Sequence, residues 1–166
     1  MLSCHRQSRF LKFRAMSAAS FDALKRFFET ADVARKATKP LDPGAEVGLQ
    51  LDGGPAHFTM EGGRPQVIDG PAKKPDFTLT LPDGAVKRIT ALTGDDVGEF
   101  GIEFFKLVLE KDPACKAGVR IDANTGQLLS HGYLGVLAVG GMKVTWWLLK
   151  NGVRNPKAAI DRLRGR

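Results

Sequence analysis

The 166-residue chain holds three histidines, His5, His57 and His131, and two cysteines, Cys4 and Cys115. Histidine is the side chain best suited to moving a proton near neutrality, and a thiol beside one is a common covalent nucleophile. The spacing here assembles neither. His5 lies in a basic leader, His57 falls on the outward side of an alternating segment, and His131 sits in a glycine-rich apolar stretch. Nothing in the sequence orients a Cys115–His131 pair, and a free cysteine usually behaves as a small hydrophobe. No H-E-x-x-H and no C-x-x-C occurs, so neither a metal nor another cofactor is expected. Gly140-Gly141-Met142-Lys143 continues into Val144, where a phosphate-binding loop needs Ser or Thr, and no strand leads into G-x-G-x-x-G. The adjacent carboxylates Asp95 and Asp96 precede an apolar helical pattern, where they read as a cap for unsatisfied amides. An enzyme built on Cys115, His131 or these carboxylates therefore stands third among the readings, and the expectation is a protein that is not an enzyme.

The net charge is +7, which raises the question of an anionic partner. Its distribution is terminal. Residues 1–15 contribute +4, the stretch from Lys143 to the end +6, and the body between them −3. A nucleic-acid reader usually carries a basic stripe interleaved with aromatics across its fold, so nucleic acid is not the expected partner. Terminal basic residues serve solubility or attraction to an anionic membrane surface, and both remain open. Residues 1–15 hold only the short apolar cluster Phe10, Leu11 and Phe13, too little for a signal-peptide core. They are expected to be a disordered leader, with Met16 an alternative start, and residues 16–166 to form one domain. With 43% hydrophobic residues, two cysteines far apart and no long apolar run, the chain reads as a globular protein with free thiols in the cytoplasm.

The elements that would position any site follow from periodicity. Phe21, Leu24, Phe28 and Ala31 recur at helical spacing, with Ser20 the expected cap and Lys39-Pro40 the stop. Val47–Leu51 alternates as a strand, Asp52-Gly53-Gly54-Pro55 supplies a turn, and Ala56, Phe58 and Met60 share one side of the returning strand. Gly62-Gly63 turns again into a short strand at Gln66–Asp69. A polar Lys73-Lys74-Pro75-Asp76 loop precedes Phe77-Thr78-Leu79-Thr80-Leu81, the cleanest alternation in the chain. Pro82-Asp83 opens a helix bearing Ala85, Val86, Ile89 and Leu92 and ending at Gly94. A second helix carries Val97, Phe100, Phe104, Phe105 and Val108, and Ala117, Val119 and Ile121 form a fifth strand. Thr125–Leu149 reads as two helical pieces broken near Gly140-Gly141, and Asn155-Pro156 caps a last helix with Ala159, Ile160 and Leu163. The expected class is α+β, a five-stranded mixed or antiparallel sheet covered by helices.

Large apolar side chains exceed what a plain core suggests, which is also what a carrier of an apolar ligand requires. Burying a fatty chain gains about 0.8 kcal/mol per methylene without any reactive residue. The segment from Val47 to Leu92 resembles the sterol carrier protein type 2 (sterol-binding domain) family. The resemblance is carried by Val47-Gly48-Leu49-Gln50-Leu51-Asp52-Gly53-Gly54, Phe58-Thr59-Met60 and Gly70–Leu81, with a fainter echo at Gly118-Val119-Arg120-Ile121-Asp122. It implies a non-catalytic domain with an apolar tunnel between sheet and helices for a sterol, fatty acid, acyl-CoA or phospholipid. Phe58, Met60, Phe77 and Leu79 would line the sheet wall; Ile89, Phe100, Phe104, Phe105 and Val108 the helical cover; Leu134, Leu137, Met142, Trp146 and Trp147 the far end. The alternative is an interaction or membrane-docking module of the same fold with a filled core, using Trp146, Trp147 and the basic C-terminal segment.

Overall fold

A computed structural model describes residues 18–151. The leader and the helix expected after Asn155-Pro156 lie outside the described residues. Helix α1 runs through residues 18–30, α2 through Asp32–Thr38, α3 through Asp83–Thr90, α4 through Val97–Val108, α5 through Thr125–Ser130 and α6 through Tyr133–Lys150. Strands β1 (Glu46–Leu51), β2 (Gly54–Glu61), β3 (Arg64–Asp69), β4 (Phe77–Leu81) and β5 (Gly118–Ile121) form one sheet in the order β3-β2-β1-β4-β5. β1 and β4 run parallel and every other pairing is antiparallel, so the sheet is mixed.

Register sorts the strand residues onto two faces. Val47 pairs across to Phe58 and Phe77, and Leu49 to Ala56 and Leu79, placing these side chains together on the face the helices cover. Leu24, Phe27, Val33, Ala34, Val86, Ile89 and Leu107 close over it, each buried large side chain contributing roughly 1.5–3 kcal/mol. The opposite face carries Gly48, Thr78 and Arg120. Here the chain returns from edge strand β3 to central strand β4, and Ala72 and Pro75 of that return lie against Gly48. A Cβ at Gly48 would meet them at 3.7 and 3.6 Å, so β1 is covered on both sides at that point.

Four local readings are corrected. Ser20 is not a cap: residues 18 and 19 are already helical, and the buried Ser20 hydroxyl donates to Asp83 Oδ1 at 2.6 Å, tying α1 to α3. The first helix is two, because Ala31 adopts an extended conformation (φ −74°, ψ 130°) between α1 and α2. Helix α3 ends at Thr90 with Ala91 as its C-cap, short of Gly94. The stretch after Thr125 does break at Gly141 (φ 68°, ψ −167°), but it breaks a second time at Gly132 (φ 84°). That second break comes from packing, since a Cβ on Gly132 would lie 2.0 Å from the Pro40 carbonyl oxygen. Among the described residues no helix is long and apolar enough to cross a membrane.

Gly132 thus combines positive φ with backbone contact, two independent reasons to exclude a side chain. Gly132→Ala is expected to lower stability by roughly 2–4 kcal/mol in urea unfolding. Gly126→Ala, where the nearest atom to a new Cβ is at 3.4 Å, should be close to neutral.

Candidate functional site

The polar centre of the molecule is a residue that reads in sequence as part of an exposed loop. Asp76 is fully buried, with 0% exposure. Its carboxylate accepts from Gln127 Nε2 at 2.8 Å, His131 Nδ1 at 2.7 Å, the Tyr133 hydroxyl at 2.9 Å and the Glu46 amide at 3.3 Å. Its own carbonyl accepts the amides of Asp122 and Ala123, both at 3.0 Å, and its amide donates to the Glu46 carbonyl at 2.7 Å. The Glu46 carboxylate in turn accepts the Lys73 and Lys74 amides, each at 2.8 Å. A buried carboxylate is tolerable only when such donors replace water, and Asp76 has four. Burial first, and then the Asp76 charge, push the Tyr133 phenol well above its ordinary range, so Tyr133 remains a neutral donor.

The arrangement orients His131 towards Asp76 rather than Cys115. The Cys115 sulfur lies instead beside Gly84, where an added Cβ would approach it at 2.7 Å. Among the described residues no group of three or more His, Cys, Asp or Glu is placed to hold a metal ion. Asp96 caps α4 by accepting the Gly98 and Glu99 amides at 2.8 and 3.2 Å, and it also pairs with Lys143 at 2.5 Å. The Lys143 hydrogen bond is the main reason the Asp96 carboxyl is held below its ordinary range; the ammonium is raised in return. Asp95 pairs with Lys36, which lowers its carboxyl as well. Both carboxylates therefore fasten helices together.

The apolar residues singled out from the sequence fall into three environments. Phe58, Met60 and Ile89 are buried in the core, where Phe28 meets Phe58 edge-on at 5.2 Å between ring centroids. Phe77, Leu79, Phe100, Phe104, Phe105, Val108 and Trp147 are half-buried. Leu134, Leu137, Met142 and Trp146 face solvent.

The half-buried set is the informative one. Phe77 and Leu79 stand on the helix-covered face of β4, a strand with neighbours on both sides. Inward side chains of a central strand are ordinarily sealed, as Leu81 (3% exposed) and the neighbouring Leu49 are. Leu79 and its β5 partner Val119 are not, and Phe77 is closed only partly by an edge-on contact with Tyr133 at 4.7 Å. Along α4, Phe100 stacks on Phe27 at 5.9 Å, while Phe104 meets Phe105 at 6.0 Å. The result is a set of apolar side chains on β4, β5 and α4 that the chain's own packing covers incompletely. A separate open cleft of about 290 Å³ lies between α1 and the β1–β2 turn, lined by residues including Phe21, Leu51, Pro55 and Asp69. None of the predicted lining residues borders that cleft.

Sequence reasoning missed Asp76, Gln127 and Tyr133. The available cue was small: Gln127 and His131 stand four apart, on one side of a helix, in an otherwise apolar stretch.

Asp76→Ala leaves several buried donors unpartnered and is expected to cost roughly 3 kcal/mol or more, against about 1 kcal/mol for Tyr133→Phe, both read by urea unfolding. Tyr133 is the chain's one tyrosine. The folded state holds its proton more tightly than the unfolded chain, in which a tyrosine titrates near about pH 10. Its stabilisation is therefore complete below that pH and lost as pH rises above it. Tyrosinate absorbance should appear near that pH in urea and well above it in buffer; coincident curves would contradict the buried hydrogen bond. No family model matches this chain, and the comparisons with curated proteins and with solved structures found no match to it.

Proposed function

We propose that the chain binds and hands on an apolar lipid without catalysing a reaction on it. The observation that carries this reading is the half-exposed apolar lining of β4 and α4. Phe77 and Leu79 on β4 and Val119 on edge strand β5 stay accessible, and with the half-covered Phe104, Phe105 and Val108 of α4 they would form an apolar seam. An acyl chain or sterol ring system laid along that seam removes apolar area from water on both partners, at about 25 cal/mol per Å². Ligand sites of this kind are mostly apolar, with few polar groups. The resemblance of Val47–Leu92 to the sterol carrier protein type 2 family supports the same ligand class: sterol, fatty acid, acyl-CoA or phospholipid. In this reading His131, Asp76 and Tyr133 are bound to one another as a structural group, leaving the lipid chemically unchanged.

Native mass spectrometry of freshly purified protein is expected to reveal a co-purified lipid. A fluorescent fatty acid or sterol analogue should saturate the chain at roughly one molecule each. Leu79→Trp adds bulk to the seam and should weaken uptake by about tenfold, equivalent to losing roughly two buried methylenes, with little loss of fold. Absence of any saturable uptake across acyl chains, sterols, acyl-CoA and phospholipids would sink the proposal.

A further inference from the structure

We infer that the outer face of α6 is a docking surface for an anionic phospholipid bilayer. The helix is held against α4 by its small side: Gly140 and Val144 are buried there, and Val144 Cγ2 would lie 2.9 Å from a Cβ on Gly101. On a helix, residues two positions either side of Val144 point the other way, and these are Met142 and Trp146. Met142 is 89% exposed and Trp146 62%, with Leu149 beside them one turn further on. Before the Gly141 kink, Leu134 and Leu137 are also more than half exposed and share a side at three-residue spacing. This many large apolar side chains left exposed on one helix mark an interaction site.

Charge identifies the occupant. Helix α6 contains no acidic residue. Lys150 sits with its ammonium 3.8 Å from the Trp146 ring centroid. Beyond Lys150 the sequence adds Arg154, Lys157, Arg162, Arg164 and Arg166 against Asp161 alone. A second copy would carry the same net charge of +7, which opposes association. An anionic bilayer accommodates both features: apolar side chains and tryptophan enter the interface, and lysine and arginine meet the headgroups. The kinked helix would lie in the plane of the surface. This surface is distinct from the β4–α4 seam, so docking and ligand binding stand or fall separately.

The test is co-sedimentation of the full chain with vesicles of phosphatidylcholine alone and of equal parts phosphatidylcholine and phosphatidylserine, with sedimentation velocity run in parallel without lipid. Binding to the phosphatidylserine vesicles alone, weakened by salt, is expected. In a Trp147→Phe background the remaining Trp146 emission should shift to the blue on binding. Met142→Glu and Trp146→Glu change exposed side chains and should leave folding and lipid-analogue uptake intact, while weakening vesicle binding by about tenfold or more. No binding to phosphatidylserine vesicles, or binding unchanged by both substitutions, would overturn the inference. So would a dimer in solution that Met142→Glu disperses, since a second copy would then cover the face.

Discussion

A buried charge sets the terms for one end of this molecule. Asp76 has surrendered all contact with water, and an ionised carboxylate in that position is sustainable only while its donors stay in place. Those donors come from four parts of the chain: the start of β1 through the Glu46 amide, α5 through Gln127, the turn after α5 through His131, and α6 through Tyr133. The backbone of Asp76 adds the exit of β5 to the same knot. Displacing any one of these elements leaves polar groups unpartnered in a dry environment, so they are held as a unit. The α5–α6 segment, apolar and rich in glycine, is fixed to the sheet by hydrogen bonds rather than by hydrophobic burial alone.

That attachment explains how the two ends of α6 differ. Its start is secured through Tyr133, which donates to Asp76 and packs edge-on against Phe77. Past the Gly141 kink, the helix is held by close approach to α4 and by the Lys143–Asp96 pair. Glycines at Gly98, Gly101 and Gly140 bring the two backbones near, so little side-chain volume is needed between them. The large side chains Met142 and Trp146 of this part of α6 are consequently free to point outward.

Much of the sheet was legible because alternation is a local property. Val47–Leu51 and Phe77–Leu81 each display one apolar face, and the turn glycines between β1, β2 and β3 mark their ends. Helix α4 was equally plain, from its Asp96 cap to Val108. Ser20 misled because a capping residue type in the right place is also a good hydroxyl donor to a neighbouring helix, and Asp83 lies 63 positions away. Asp76 stayed hidden for the same reason: a lone aspartate after two lysines and a proline looks solvated, and its side-chain partners are 51 to 57 residues downstream. Periodicity also classed Phe58, Phe104 and Met142 together as apolar, whereas they end up sealed, half-covered and bare.

By itself the sequence determined the α+β class, the strands and their turns, the α4 cap, the kink at Gly141 and the concentration of positive charge at the termini. Each of these is encoded within a few residues, through side-chain alternation, backbone freedom at glycine or simple charge count. Only the tertiary structure decided that β1 and β4 run parallel, that Asp76 is buried with four donors, and which large apolar side chains remain accessible. Burial and hydrogen bonding depend on what arrives from elsewhere in the chain. A hydrophobic residue states only a preference for leaving water; whether it does so is settled by the surface that packs against it.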